Sequence, residues 1–159
     1  MASVIAVLGT LLGAGANHLF QQRVAVRGQL LAREERLREE RLDAYTAYAA
    51  ALVNYRRALV HRWFCLNEDP PPGDPVEARA RSYERLNEVE EALFRCRLLA
   101  DRPTVGERAA EVLTEVKKLH EATDRADLDA LRDRTREAID AWVDDAATAL
   151  RHPAPPSSD

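Results

Sequence analysis

Residues 43–66 read DAYTAYAAALVNYRRALVHRWFCL, and this stretch decides the fold. Large apolar and aromatic side chains recur in it at spacings of three and four, which is the period of one face of an α-helix. Such a stripe is typical of a helix that packs against other helices, and it favours a packing role for the rings over a cofactor pocket. The stripe consists of Tyr45, Tyr48, Leu52, Tyr55, Leu59, Trp63 and Leu66.

The second helix has a clear start signal. Residues 67–75, NEDPPPGDP, predict a loop, because proline and glycine interrupt regular structure. Asp74 then suits the helix cap, Pro75 suits the first helical position, and Glu77 suits the closing residue of a capping box. We expect this helix to bury Tyr83, Leu86, Val89, Leu93, Cys96 and Ala100.

Two more amphipathic segments follow a break at residues 101–103, DRP, and Asp127 is the predicted cap of the last one. Short loops make neighbouring helices antiparallel, and no segment alternates with period two. We therefore predict an all-α fold, with an up-down-up-down bundle of about four helices over residues 43–151 and a disordered tail over 152–159. The alternative is that the third and fourth segments pack as a bent pair. The residues expected to be buried there are Val105, Ala109, Val112, Leu113, Val116 and Leu119, then Leu128, Leu131, Ala138, Ile139, Trp142, Ala146 and Leu150.

The first twenty residues, MASVIAVLGTLLGAGANHLF, carry no charged side chain. As a helix they are about 30 Å long, the thickness of a bilayer's hydrocarbon core, so residues 1–22 predict a transmembrane anchor. Arg23 and Arg27 follow directly and suit lipid head groups. By the positive-inside rule they place the C-terminal body in the cytoplasm, with a single pass through the cell membrane. Two alternatives are a signal peptide, which usually has a basic start, and a buried helix of a soluble domain.

Gly9 and Gly13 form a G-x-x-x-G pair within this segment. In lipid, such a pair lets two helix backbones approach closely, so it predicts membrane-helix packing and a homo-oligomer. The alternative is chance, because small residues are common in membrane spans.

Residues 23–42 predict a charged helical stalk. The unit Arg-Glu-Glu-Arg-Leu occurs there twice, which allows ion pairs along a solvated helix, although a short coiled coil is the alternative. Residues 23–66 hold nine arginines and five acidic residues, whereas residues 67–159 hold fourteen basic and twenty-two acidic residues. The basic part suits anionic membrane lipid, and the acidic body argues against nucleic acid as a direct partner.

No catalytic, cofactor-binding or metal-binding motif occurs in the chain, so we expect a protein that is not an enzyme and needs no cofactor. His61 and Cys65 share one helix face, but zinc requires three or four ligands, which favours a helix end with a surface histidine and a packed cysteine. Arg56, Arg57 and Arg62 form a basic cluster with His61, and we read it as a solvated face rather than a phosphate or lipid head-group site. Cys65 and Cys96 fall at opposite ends of antiparallel helices, so we expect free thiols.

The segments SVIAVLGTLLGAGANHLFQQR and REERLREERLDAYTAYAAALVNYRRA resemble KilB-like proteins of mycelial actinomycetes, over roughly residues 3–62. The resemblance implies a small protein with an N-terminal membrane helix that is accessory to conjugative plasmid transfer and to the spread of plasmid through the recipient mycelium. It implies no active site. The predicted function is therefore a membrane-tethered helical bundle that works through contacts with a protein partner. The alternative is a soluble oligomeric helical-bundle binding module.

Overall fold

The computed structural model describes the backbone of residues 2–152 and the side chains of residues 27–152. The described backbone contains helices and no strand, which confirms the all-α prediction. In chain order the elements are α1 (Ala2–Asn67), α2 (Pro75–Leu99), α3 (Pro103–Lys117), a 3₁₀-helix (Lys118–Glu121) and α4 (Arg125–Arg151).

The chain divides into two compact units, Met1–Glu39 and Glu40–Asp159. In the first unit, the side chains of residues 27–36 are all exposed, as a solvated helix requires. Arg38 lies 3.6 Å from Glu35, three residues before it. This is an exposed ion pair, which contributes a few tenths of a kcal/mol at most.

The predicted anchor, residues 1–22, lies outside the residues whose side chains are described. Among the described residues, no helix combines the length and the apolar character that a membrane crossing needs.

Hydrogen bonds between helices show the direction of each helix in the second unit. Arg41 Nε, near the start of this unit, donates to the carbonyl oxygen of Leu99 at the end of α2, at 2.8 Å. Trp142 Nε1, late in α4, donates to the carbonyl oxygen of Val105, early in α3, at 3.1 Å. Residues 100–102 are the whole connection between α2 and α3. Neighbouring helices are therefore antiparallel, in the up-down-up-down order expected.

The core is built from one face of each helix. Six of the seven stripe residues predicted on α1 are buried, and so are all six predicted on the third segment. Leu119 is among them, although it lies in the 3₁₀-helix rather than in α3. Partly buried side chains close the edges of this core: Leu86, Ala100, Leu131, Ala138 and Leu150.

Two residues predicted to be buried are exposed. Leu66 is 59% exposed, because Cys65 takes the inward position in the last turn of α1. Tyr83 is 50% exposed, because Ser82 takes the inward position on α2. The Ser82 hydroxyl is satisfied there, since it donates to the carbonyl oxygen of Arg79 at 2.7 Å.

The predicted start of α2 is confirmed, and the predicted start of α4 is corrected. Asp74 Oδ1 accepts from the N–H of Val76 at 2.9 Å, and Pro75 is the first helical residue. The predicted capping-box role of Glu77 is corrected, because its carboxylate instead accepts a hydrogen bond from Arg81 Nη2 at 2.7 Å.

At α4 the cap is Asp124 rather than Asp127. Asp124 Oδ1 accepts from the N–H of Asp127 at 2.8 Å. The Asp127 carboxylate reaches back to the N–H of Thr123, at 3.1 Å, so it is the reciprocal member of the cap.

Candidate interaction surfaces

The outer face of α2 carries apolar side chains that the bundle leaves uncovered. Val76 is 75% exposed, Phe94 61% and Leu98 86%, and Tyr83 lies between them along the helix. Ala80 is exposed on the same face. We call these five residues the outer stripe. Scattered exposed apolar residues are ordinary, but a row of them along one helix is typical of an interaction surface.

Helix geometry places the outer stripe away from the core. At 3.6 residues per turn, Val76, Ala80, Phe94 and Leu98 lie on the side of α2 opposite to the side that packs in the bundle. Tyr83 lies at the border of the two sides, where it also lines a groove with Tyr55 and Leu59 of α1. The residues on the packed side are Ala78, Ser82, Val89, Leu93 and Cys96. The helix thus has two apolar faces, and the second one has no partner within the described part of the chain.

Charged residues border the outer stripe with opposite signs. An acidic edge runs along one side of it and a basic edge along the other. The acidic edge is Glu77, Glu84 and Glu91, and the basic edge is Arg79 and Arg97; all five are exposed. One residue of the other sign lies beside each edge: exposed Arg95 at the acidic edge and half-buried Glu90 at the basic edge. The Arg79 guanidinium lies 5.8 Å from the centroid of the Tyr83 ring. Its hydrogen bond and its charge lower the pKa of Tyr83.

A second apolar surface is a groove of about 200 Å³ between α1 and α4. Leu42 and Val143 are exposed at its rim. The rings of Tyr45 and Trp142 also line it, edge to face with centroids 6.0 Å apart. The hydroxyl of Tyr45 is buried and, among the described residues, has no hydrogen-bond partner. Burial raises the pKa of Tyr45 to about 12.

The structure separates the basic cluster predicted from sequence. Arg56 turns to α4, where its Nε donates to Thr135 Oγ1 at 3.0 Å and its Nη2 to the carbonyl oxygen of Arg132 at 2.6 Å. Burial lowers the pKa of Arg56. Arg62 turns to α2 and lies 3.4 Å from the Ser82 hydroxyl.

Arg57 and His61 remain together, in a groove of about 280 Å³ that Arg81 and Arg85 of α2 also line. Both α2 arginines are held by acids of their own helix: Arg81 by Glu77 and Arg85 by Glu88, each at 2.7 Å. The groove therefore carries less uncompensated positive charge than the sequence cluster suggests.

His61 and Cys65 are brought together as predicted, with Nε2 and Sγ 3.5 Å apart. Gly73 of the loop closes over the pair, since a Cβ there would lie 3.5 Å from both atoms. Within the described residues, no group of three or more histidine, cysteine or acidic side chains is placed to hold a metal ion.

Both cysteines are free and buried. Burial raises the pKa of the Cys96 thiol to about 11, which keeps it protonated and unreactive at neutral pH.

The residues predicted for membrane contact are mostly outside the described side chains. This applies to Gly9, Gly13 and Arg23, so their packing and lipid-facing roles remain predictions. Arg27 is described and exposed.

Sequence reasoning missed the outer stripe, although a signal for it is present. Val76, Tyr83 and Phe94 lie on one helix face, with Ala80 and Leu98 beside them. The sequence prediction for α2 includes one apolar face, with Tyr83 on it, whereas the sequence contains two such faces.

The family model described as KilB plasmid transfer protein matches residues 42–150. Protein KilB of Streptomyces lividans is 31% identical over 151 residues, which cover 95% of this chain and 97% of that relative. No solved structure matches the chain.

Proposed function

The chain belongs to the KilB family of plasmid transfer proteins, and we propose that it acts at the membrane as a non-catalytic accessory of plasmid transfer. In this proposal residues 1–22 anchor the chain in the cell membrane. The helical bundle lies in the cytoplasm and acts through contacts with other proteins.

The outer stripe is the observation that carries this proposal. Phe94, Leu98 and Val76 are more than half exposed and lie along one face of a single helix, whereas the buried aromatic side chains of the bundle serve its own packing. The indole N–H of Trp63, for example, ties α1 to the carbonyl oxygen of Ala122 at 2.9 Å. A protein that works by contact needs an uncovered apolar face, and α2 has one.

The membrane part of the proposal rests on the sequence of the first residues. Residues 1–20 carry no charged side chain, and Arg23 and Arg27 follow. An anchor confines the bundle to a thin layer beside the bilayer, which raises its effective concentration for membrane partners.

Fractionation of cells that produce the full chain tests the anchor. We expect to find the protein in the membrane fraction. Detergent should release it from that fraction, whereas high salt should not. A tag at Asp159 should resist protease added outside intact cells. A variant that lacks residues 1–22 should be soluble and still helical by circular dichroism.

Two outcomes contradict the anchor. Recovery of the full chain as a discrete oligomer without detergent, with loss of folding on deletion of residues 1–22, would support the soluble binding module instead. Digestion of the C-terminal tag from outside would reverse the proposed orientation.

Plasmid transfer assays test the accessory role. Cells that lack the protein are complemented with the full chain, with the chain lacking residues 1–22, or with Phe94→Glu and Leu98→Glu together. We expect only the full chain to restore the transfer phenotype. The matched control is Leu66→Glu, which changes an exposed leucine outside the outer stripe and should restore transfer. If all variants restore transfer equally, the proposal is wrong.

A further inference from the structure

We infer that the outer stripe binds α2 of a second copy of this chain, in a parallel pair of helices. This inference deepens the proposed function, because it names the partner of the outer stripe, but its geometry depends only on α2.

The outer stripe follows the heptad spacing of a two-stranded coiled coil. Ala80, Asn87 and Phe94 are seven residues apart and correspond to one core position, called a. Val76 and Tyr83 occupy the other core position, d, and Leu98 flanks the end. The pattern spans the length of α2, and its five apolar members are exposed. Of these five, Tyr83 also borders a groove that Tyr55 and Leu59 of α1 line.

The polar residues along this face are compatible with pairing. Glu90 and Arg97 fall at d positions, but both lean towards α3 of their own chain. Glu90 Oε1 lies 2.9 Å from Lys117 Nζ, and the stem of Arg97 would be 3.1 Å from a Cβ placed on Gly106. Asn87 is exposed at an a position, where a single asparagine specifies the register of a coiled coil by pairing with itself.

The charges at the edges decide the direction of the second helix. In a parallel pair Arg79 of one copy lies opposite Glu84 of the second copy, at the spacing that favours an ion pair. Arg97 falls at a core position and makes no such pair. In an antiparallel pair the acidic edge faces itself, so glutamates oppose glutamates. The charges at the edges therefore favour the parallel arrangement.

In the parallel arrangement, the α1 helices of the two copies also begin at the same end of the pair. Because α1 is antiparallel to α2 in each bundle, the Glu40 ends of the two copies lie at the same end of the pair.

Cysteine crosslinking of the full chain in isolated membranes tests the inference. Cys65 and Cys96 are first replaced by alanine, and single cysteines are then introduced as Ala80→Cys or Phe94→Cys. A parallel pair brings each position next to itself, so each variant alone should form a disulfide-linked dimer on mild oxidation. The control is Glu111→Cys, an exposed position on α3 outside the stripe, which measures random collisions.

Charge exchange separates specific pairing from crowding in the bilayer. We expect Arg79→Glu or Glu84→Arg alone to reduce the crosslinked fraction at Ala80→Cys, and the double variant to restore it. Phe94→Glu with Leu98→Glu should abolish it, while Leu66→Glu leaves it unchanged. Circular dichroism of each variant should match the parent, because all these side chains are exposed.

Three results would overturn the inference. The first is a dimer that forms only when Ala80→Cys and Phe94→Cys are mixed, since this indicates antiparallel pairing. The second is crosslinking no greater than at Glu111→Cys. The third is loss of plasmid transfer in the outer-stripe variants without any self-crosslinking, which indicates a different protein partner.

The last two results leave the proposed function standing. If the chain proves soluble without detergent but still crosslinks specifically, the proposed membrane anchor is wrong and the inference of a parallel pair stands.

Discussion

The hydroxyl of Tyr48 donates a hydrogen bond of 2.5 Å to the carbonyl oxygen of Ala109, and this bond joins α1 to α3 inside the core. Both residues are fully buried. The Tyr48 ring also lies edge to face with Trp142 of α4, with centroids 4.9 Å apart. One side chain thus connects three helices, and its burial raises its pKa.

Tyr48→Phe should lower the free energy of unfolding by about 1–2 kcal/mol, because a buried hydrogen bond is lost while the ring stays. Chemical denaturation of the variant and the parent measures the difference. Tyr45→Phe is the matched control, since the Tyr45 hydroxyl is buried without a hydrogen-bond partner among the described residues. That change should leave stability equal or higher. Equal losses of unfolding free energy in the two variants would contradict a stabilising role for the Tyr48 hydrogen bond.

Arg56→Lys should destabilise the bundle by about 1–2 kcal/mol, because a lysine ammonium cannot reproduce the two-point contact with Thr135 and Arg132. The neighbouring Arg57→Lys serves as the control, since Arg57 is exposed, and it should stay within about 0.5 kcal/mol of the parent. Thermal unfolding of both variants measures the contrast. A larger effect at Arg57 would show that the division of the basic cluster is wrong.

Asp124→Ala should cost about 1 kcal/mol, because the N–H of Asp127 loses its acceptor at the start of α4. Asp124→Asn should cost much less, since an asparagine side chain caps a helix almost as well. Equilibrium unfolding in urea measures both. If Asp124→Asn were as damaging as Asp124→Ala, charge rather than capping would explain the effect.

Alkaline pH should destabilise the bundle through Cys96. The folded chain holds the pKa of this thiol at about 11 against an ordinary value of 9.0, so above pH 9 the unfolded chain loses the proton more readily. The stability that this group contributes is therefore complete below pH 9 and is lost as the pH rises towards 11, by roughly 2–3 kcal/mol. Cys96→Ala should make the fall in unfolding free energy over this interval shallower. An unchanged slope would contradict the role of the thiol.

Local patterns predicted most of the fold. The inward faces of α1 and α3 were predicted almost residue by residue, because a helix with one apolar face can pack in only one orientation. The cap at Asp74 was equally clear, since a proline and a loop precede the helix. The start of α4 was misplaced by three residues, because Asp124 and Asp127 both suit a cap and only the backbone geometry distinguishes them.

The candidate site was much less predictable than the fold. On α2, Ser82 rather than the larger Tyr83 faces the core, although size and hydrophobicity favour the reverse. Which of these two residues faces the core depends on the helices beside α2, because Arg62 of α1 approaches the Ser82 hydroxyl. Similarly, Arg56 leaves its neighbours because its partners are on α4, almost eighty residues away in the chain.

The sequence by itself determined that this protein is all-α, where most helices begin and end, and which face of α1 and α3 is buried, because those properties depend on residues within one or two helical turns. Only the tertiary structure decided which face of α2 is covered, where each arginine of the cluster points, and which apolar residues remain exposed to a partner. Those outcomes depend on side chains that come together from distant parts of the chain, and no local pattern contains their contacts.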